Sequence, residues 1–199
     1  MITIVDYGAG NLANVKNALD YLNERSEITS DPGRLQRARK IILPGVGAFE
    51  PAVRLLRERD LDKVIVEKVN SGVPLLGICL GMQLLMSRSS ENGEHSGLDL
   101  IPGSVELFKP GVKIPQIGWN SIDLAKESLL VRSVPDGSFA YFVHGYHCLP
   151  DNESDVLAWS HYGERFAALL ERGAVYGAQF HPEKSQETGL RILKNFGKI

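Results

Sequence analysis

Residues 73–86 read Val-Pro-Leu-Leu-Gly-Ile-Cys-Leu-Gly-Met-Gln-Leu-Leu-Met. An apolar run ends at a cysteine bracketed by Gly77 and Gly81, and an amphipathic run follows. A buried strand that enters a helix through so tight a turn strains the residue at its apex, and flanking glycines remove the side chains that would crowd it. This reading holds the Cys79 thiol exposed at a helix N-terminus, where unpaired N–H groups and the helix dipole favour the nucleophilic thiolate. The competing reading is a small buried hydrophobe, the usual fate of a free cysteine. Cys148, which follows His147 and precedes Leu149-Pro150, has no such turn and reads as structural.

Outward from this turn, strand candidates at Ile2–Val5, 40–43 and 74–78 alternate with helical patterns. Leu12, Val15, Leu19 and Leu22 recur at helical spacing, and residues 51–70 carry helix-compatible alternation. Such an order predicts an α/β fold with a mostly parallel central sheet and helices on both faces. The second half is richer in strands, at 105–108, 139–143, 156–159, 166–170 and 174–180, with a closing helix over 188–196. The polar stretch 88–97 reads as a surface loop close to Cys79, and Pro102, Pro110 and Pro115 break the region after it into short extended pieces.

The 199 residues suit one domain over 1–199, and 43% hydrophobic with 23% charged residues is ordinary globular composition. A net charge of −2 gives no basic footprint, which argues against a nucleic-acid partner. No run reaches transmembrane length and the start lacks a signal-peptide pattern, so no membrane association is expected. The expected compartment is the cytoplasm, with both cysteines as free thiols.

A thiolate nucleophile needs an acid and base. Gln179-Phe-His-Pro-Glu-Lys-Ser185 supplies His181 at the carboxyl end of a strand candidate, the same sheet edge as the cysteine turn. Pro182 biases His181 toward extended backbone, so Glu183 falls on its side and can orient the imidazole as a triad carboxylate does. A solvated turn is the other reading of that segment. His144, His147 and Cys148 raise a metal site; residues three apart on a strand face opposite sides, so no metal is expected. His95 and His161 read as surface residues.

Acyl transfer also needs donors for an oxyanion. Leu80 N–H is one by position, and the turn Leu43-Pro-Gly-Val-Gly-Ala-Phe49 offers a second, unless it is an ordinary βα loop. A rival motif is Gly8-Ala-Gly-Asn-Leu-Ala13, which fits the dinucleotide fingerprint with Asp31 suitably placed. Against it, residues 27–30 make a poor second strand, and the Cys79 and His181 segments stay unexplained.

Pro44-Gly-Val-Gly47, Gly77-Ile-Cys-Leu-Gly-Met-Gln83 and Phe180-His-Pro-Glu-Lys-Ser185 together resemble class I (triad) glutamine amidotransferases. Val5-Asp-Tyr-Gly-Ala-Gly-Asn-Leu12, Gly47-Ala-Phe49 and Pro115-Gln-Ile-Gly-Trp-Asn120 look like the glutaminase subunits of imidazole glycerol phosphate synthases. The resemblance implies a flavodoxin-like fold that needs no cofactor, hydrolyses L-glutamine and hands ammonia to a cyclase subunit, a (β/α)8 barrel, in a heterodimer. It makes Cys79 the nucleophile, His181 the acid and base and Glu183 the orienting carboxylate. Gln83 and Glu91 would hold the amino-acid end of glutamine, and Gly45, Val46 and Gly47 the second oxyanion donor. Asn11, Trp119 and Lys184 would face the partner. One position departs: where His-Ser-Tyr or His-Thr-Tyr is expected, this chain has His144-Gly145-Tyr146, so backbone groups of Gly145 and Tyr146 would replace a hydroxyl. Glutaminases of surface-sugar amidotransferases share these motifs.

Overall fold

Three apolar segments form the centre of a sheet: β1 (Ile2–Val5), β3 (Ile41–Gly45) and β4 (Leu75–Cys79). Successive residues point to opposite faces, so Ile2, Ile4, Ile42, Leu76 and Ile78 enter one core while Val5, Ile41, Leu43 and Leu75 enter another. The two cores hold 27 and 26 buried residues, so the sheet is covered on both sides and its strands can be apolar without alternation.

The structure, a computed structural model, describes residues 1–199. The remaining strands of the main sheet are β2 (Ser26–Thr29), β8 (Gln116–Leu124), β9 (Ser138–His144), β11 (Val156–Tyr162), β12 (Glu164–Arg172) and β13 (Val175–Ala178). Their order is β2-β1-β3-β4-β13-β12-β11-β8-β9. Pairing is parallel from β2 to β13, the half that carries the cysteine turn, and antiparallel from β13 to β9. Helices α1 (Leu12–Tyr21) and α6 (Gln186–Lys198) pack on one face. On the other lie α2 (Pro32–Leu35), α3 (Phe49–Glu58) and α4 (Leu61–Asn70). A four-stranded second sheet joins them, in the order β10 (Tyr146–Pro150), β7 (Ile101–Leu107), β5 (Met86–Ser89) and β6 (His95–Ser96). No helix is long and apolar enough to cross a membrane.

Four local expectations change. Residues 27–30, read as a poor strand, lie largely within β2, which pairs in parallel register with β1. As an edge strand it leaves Ile28 part exposed, so its sequence carries little apolar signal. The helical stretch 51–70 is two helices, divided where Asp60 takes φ 54°. The polar loop 88–97 is largely a hairpin, with β5 pairing β6 and also β7. Pro102 lies inside β7 rather than breaking it, and β8 and β10 are strands that the sequence pattern did not mark.

Candidate active site

Because β3, β4 and β13 are neighbours, the turns at their carboxyl ends open on one edge of the sheet. Cys79 ends β4 and immediately precedes α5 (Leu80–Leu84), with φ 53° and ψ −112°, a backbone conformation that L-residues rarely adopt. The flanking glycines explain how the chain holds it. A Cβ on Gly81 would lie 1.8 Å from the Leu43 carbonyl oxygen, and one on Gly77 would lie 2.6 Å from the Gly81 oxygen. Only bare backbone lets α5 approach β3 so closely. The thiol is not exposed as expected: Cys79 is 6% accessible and forms the floor of a pocket.

Leaving β13, the chain places His181 over this floor. His181 Nδ1 lies 2.9 Å from Glu183 Oε1, and both side chains are buried. The ring also lies close enough to Cys79 for the sulfur to influence its titration. Burial alone would lower the His181 pKa, but the interaction with Cys79, the hydrogen bond to Glu183 and the negative charges of both outweigh it and raise the pKa to about 9. The ring therefore carries a proton at neutral pH. Around the sulfur, Val143 O lies at 3.8 Å and Gln179 Nε2 at 3.9 Å.

The pocket has a volume of about 230 Å³, and its walls include Val46, Gly47, Gln83, Glu91, Tyr146 and Lys184. Val46 and Gly47 make no backbone hydrogen bond, so their N–H groups are free to meet a ligand. Leu80 begins α5, so its N–H has no helical acceptor either. Two unpaired amide segments thus flank one sulfur, with a protonated imidazole on a third side. Such an arrangement suits acyl transfer through a thioester.

The family model described as glutamine amidotransferase class-I matches residues 3–199. The chain belongs to the class-I glutamine amidotransferase family. Among its relatives, the imidazole glycerol phosphate synthase subunit HisH of Chlorobaculum tepidum is 47% identical, with 100% of each chain covered. That of Moorella thermoacetica is 48% identical over 100% of this chain and 94% of its own. Among solved structures, one titled as a glutamine amidotransferase superposes with a TM-score of 0.79 at 20% identity, covering 100% of each chain. The fold is the flavodoxin-like one of class-I amidotransferases.

Most of the residues singled out in this family member come together. Cys79, His181, Gly47, Val46, Leu80, Gln83, Glu91, Gly145, Tyr146 and Lys184 all line the pocket. Gly45 lies just behind its wall, packed against Leu80 and Gly81. Glu91 reaches it from the hairpin turn, where its Oε2 accepts the Phe49 N–H at 2.7 Å. Asn11 and Trp119 lie outside: Asn11 precedes α1 with no side-chain bond to the helix end, and Trp119 sits on β8 in the edge hairpin, 43% accessible. Gln179 was missed. It is fully buried, and its Oε1 accepts from Gln83 Nε2 at 3.2 Å while that same nitrogen donates to Tyr146 O at 3.0 Å. A chain of amides therefore ties the sulfur to the pocket wall, and glutamine carries no periodic signal that would have revealed it.

His144 and His147 do not face opposite sides, because the chain turns at Gly145 between β9 and β10. Both rings pack on Phe108, at 5.2 and 4.7 Å. Burial pushes His144 down to about 3, so it is neutral, and its Nδ1 donates to Tyr146 O at 2.8 Å. Where a hydroxyl residue was expected, a Cβ on Gly145 would lie 3.0 Å from Ile114 Cγ2, so this chain fills that space from another segment. His161 is exposed as expected, while His95 is half-buried. Cys148 is fully buried, and burial holds its thiol well above the usual range, which makes it inert. Asp31, cast as a ribose reader, instead accepts from Gly33 N–H and caps α2.

Proposed function

We propose that the chain, a single glutaminase domain, hydrolyses L-glutamine to L-glutamate and ammonia through a thioester on Cys79. The ammonia passes to a cyclase subunit of (β/α)8-barrel fold in a cytoplasmic heterodimer, which forms imidazole glycerol phosphate and AICAR in histidine biosynthesis. The observation that carries the reading is the buried line Cys79, His181, Glu183 on a strained turn with unpaired amides at its flanks. The synthase assignment rests on the near-half identity to HisH subunits over the full chain.

In the first step His181 already holds its proton, and the Cys79 sulfur attacks the carboxamide carbon as the thiolate paired with that imidazolium. The C=O electron pair moves onto oxygen, which Leu80 N–H and the Val46 turn stabilise. The oxyanion then collapses, the C–N bond breaks, and His181 passes its proton to the departing nitrogen as ammonia forms. His181 next takes a proton from water, hydroxide adds to the thioester, and glutamate leaves as the C–S bond breaks, which restores the Cys79 thiolate beside the protonated His181. Both Gln83 Nε2 hydrogens are engaged inside the protein, so its Oε1 and the Glu91 carboxylate serve as acceptors, suited to the substrate ammonium. Free ammonia in water would become ammonium and lose its nucleophilicity. Transfer inside a complex avoids this, and the exposed Ile117, Trp119 and Phe139 of the β8–β9 pair offer apolar surface for the partner, to which Asn11 and Lys184 would add polar contacts.

The test is glutamate release by the purified chain with and without the cyclase subunit. Strong stimulation by the partner is expected, and equal rates in both conditions would refute the coupling. Two further outcomes follow from His181. By side-chain NMR it should titrate near 9 in the wild type and much lower in Cys79→Ala, where burial is opposed by Glu183 alone. Activity that needs the imidazolium should hold below that value and fall as pH rises through it; a constant rate beyond pH 10 would contradict this. Glu183→Gln should reduce kcat by about 10²- to 10⁴-fold with little change in KM, since only ring orientation and charge are lost.

A further inference from the structure

Tyr7 follows β1 and immediately precedes the Gly8–Ala13 segment that offered the rival dinucleotide reading, and the proposed function leaves it without a task. Its side chain is fully buried, yet its hydroxyl has no hydrogen-bond partner. A Cβ on Gly45 would lie 2.6 Å from that hydroxyl, 2.9 Å from Gly81 N and 2.9 Å from Leu80 Cβ. The oxygen therefore stands where the two amide-bearing segments of the pocket, the Gly45–Gly47 turn and the start of α5, meet. Keeping an unpaired hydroxyl out of water costs free energy, and phenylalanine would fill the same space without that cost.

The other side of the contact is also incomplete. Val46 forms no backbone hydrogen bond through either its N–H or its carbonyl, and the residue is 44% accessible. Gly47 beside it has φ 99°, a value that lets the peptide turn without steric strain. A buried donor without an acceptor thus adjoins a backbone turn whose Val46 carbonyl is unused.

We propose that Tyr7 is a positioning residue for the oxyanion site: with glutamine bound, its hydroxyl donates to a backbone carbonyl of the Gly45–Val46 segment and so fixes the Val46 N–H toward the oxyanion. The inference rests on the glutaminase reading. The hydrogen bond exists only in the loaded state, so it lowers the barrier without holding the resting fold together.

The test is Tyr7→Phe in the full chain with its cyclase partner, reading glutamate release and thermal unfolding together. The expected result is a kcat lower by about tenfold or more, KM unchanged, and a Tm equal to or above the wild type's. A wild-type kcat would overturn the proposal. So would a lowered Tm or a failure to fold, because either shows a hydroxyl already paired at rest. If the wild type itself releases no glutamate with the partner, the glutaminase reading fails first and this proposal falls with it.

Discussion

Cys79→Ala is expected to release glutamate at least about 10⁴-fold more slowly than the wild type under partner-stimulated conditions, while keeping its fold and its partner. The size follows from the loss of the only group that can form the thioester; the oxyanion donors and the pocket remain. Cys148 cannot substitute, because it is fully buried and lies in the second sheet. Stability adds a second readout at the same position. Since residue 79 sits at φ 53° and ψ −112°, Cys79→Gly should be more stable than Cys79→Ala by about 1–3 kcal/mol, against the usual order for these residues. For a chain of this size that is roughly 2–4 °C in Tm per kcal/mol, measurable by thermal unfolding. An alanine variant as stable as the glycine one would mean that the turn stores no strain.

Gly81→Ala carries the largest expected structural effect. The added methyl would fall 1.8 Å from the Leu43 carbonyl oxygen and 2.8 Å from its carbon, a backbone obstacle that no side-chain rotation can clear. Either α5 lifts from β3 or the ladder between β3 and β4 opens. We expect a loss of about 3–5 kcal/mol, near the upper end for one substitution, by denaturant unfolding. Glutamate release should fall in whatever fraction still folds, because Leu80 N–H moves with the helix. Near-native stability with native activity would show that the close approach is not required.

The elbow was legible because glycine has few reasons to bracket a residue at this spacing, and both reasons here are steric. The meeting of Cys79 with His181 was legible as well, since strands of a parallel sheet end on one edge and His181 follows a strand. Glu183 does meet His181, but not for the reason the sequence offered: only His181 is extended, and a 3-10 turn over Pro182–Lys184 brings the carboxylate back to the ring. What the sequence hid were features whose cause lies in another segment. β2 and β8 are half-exposed and polar, so backbone pairing rather than apolar pattern makes them strands. The hairpin around Glu91 is held by its bond to Phe49 N–H, a contact between residues 42 apart. Gln179 joins the site through side-chain amides alone. The positions of His144 and His147 turn on Gly145, where the strand pattern used to separate them ends. The burial of the thiol was missed for a related reason: the turn exposes it to a pocket, and one side of that pocket, from Val143 to Tyr146 with His181 and Lys184, comes from the second half of the chain.

The central claim is a glutamyl thioester on Cys79. It is tested by acid-quenching the partner-bound chain during turnover of glutamine and mapping the adduct by peptide mass spectrometry. The account predicts a glutamyl group on the peptide carrying Cys79, absent from Cys79→Ala and never on Cys148. Glutamate release that continues in Cys79→Ala, or turnover with the adduct on another residue, would contradict it.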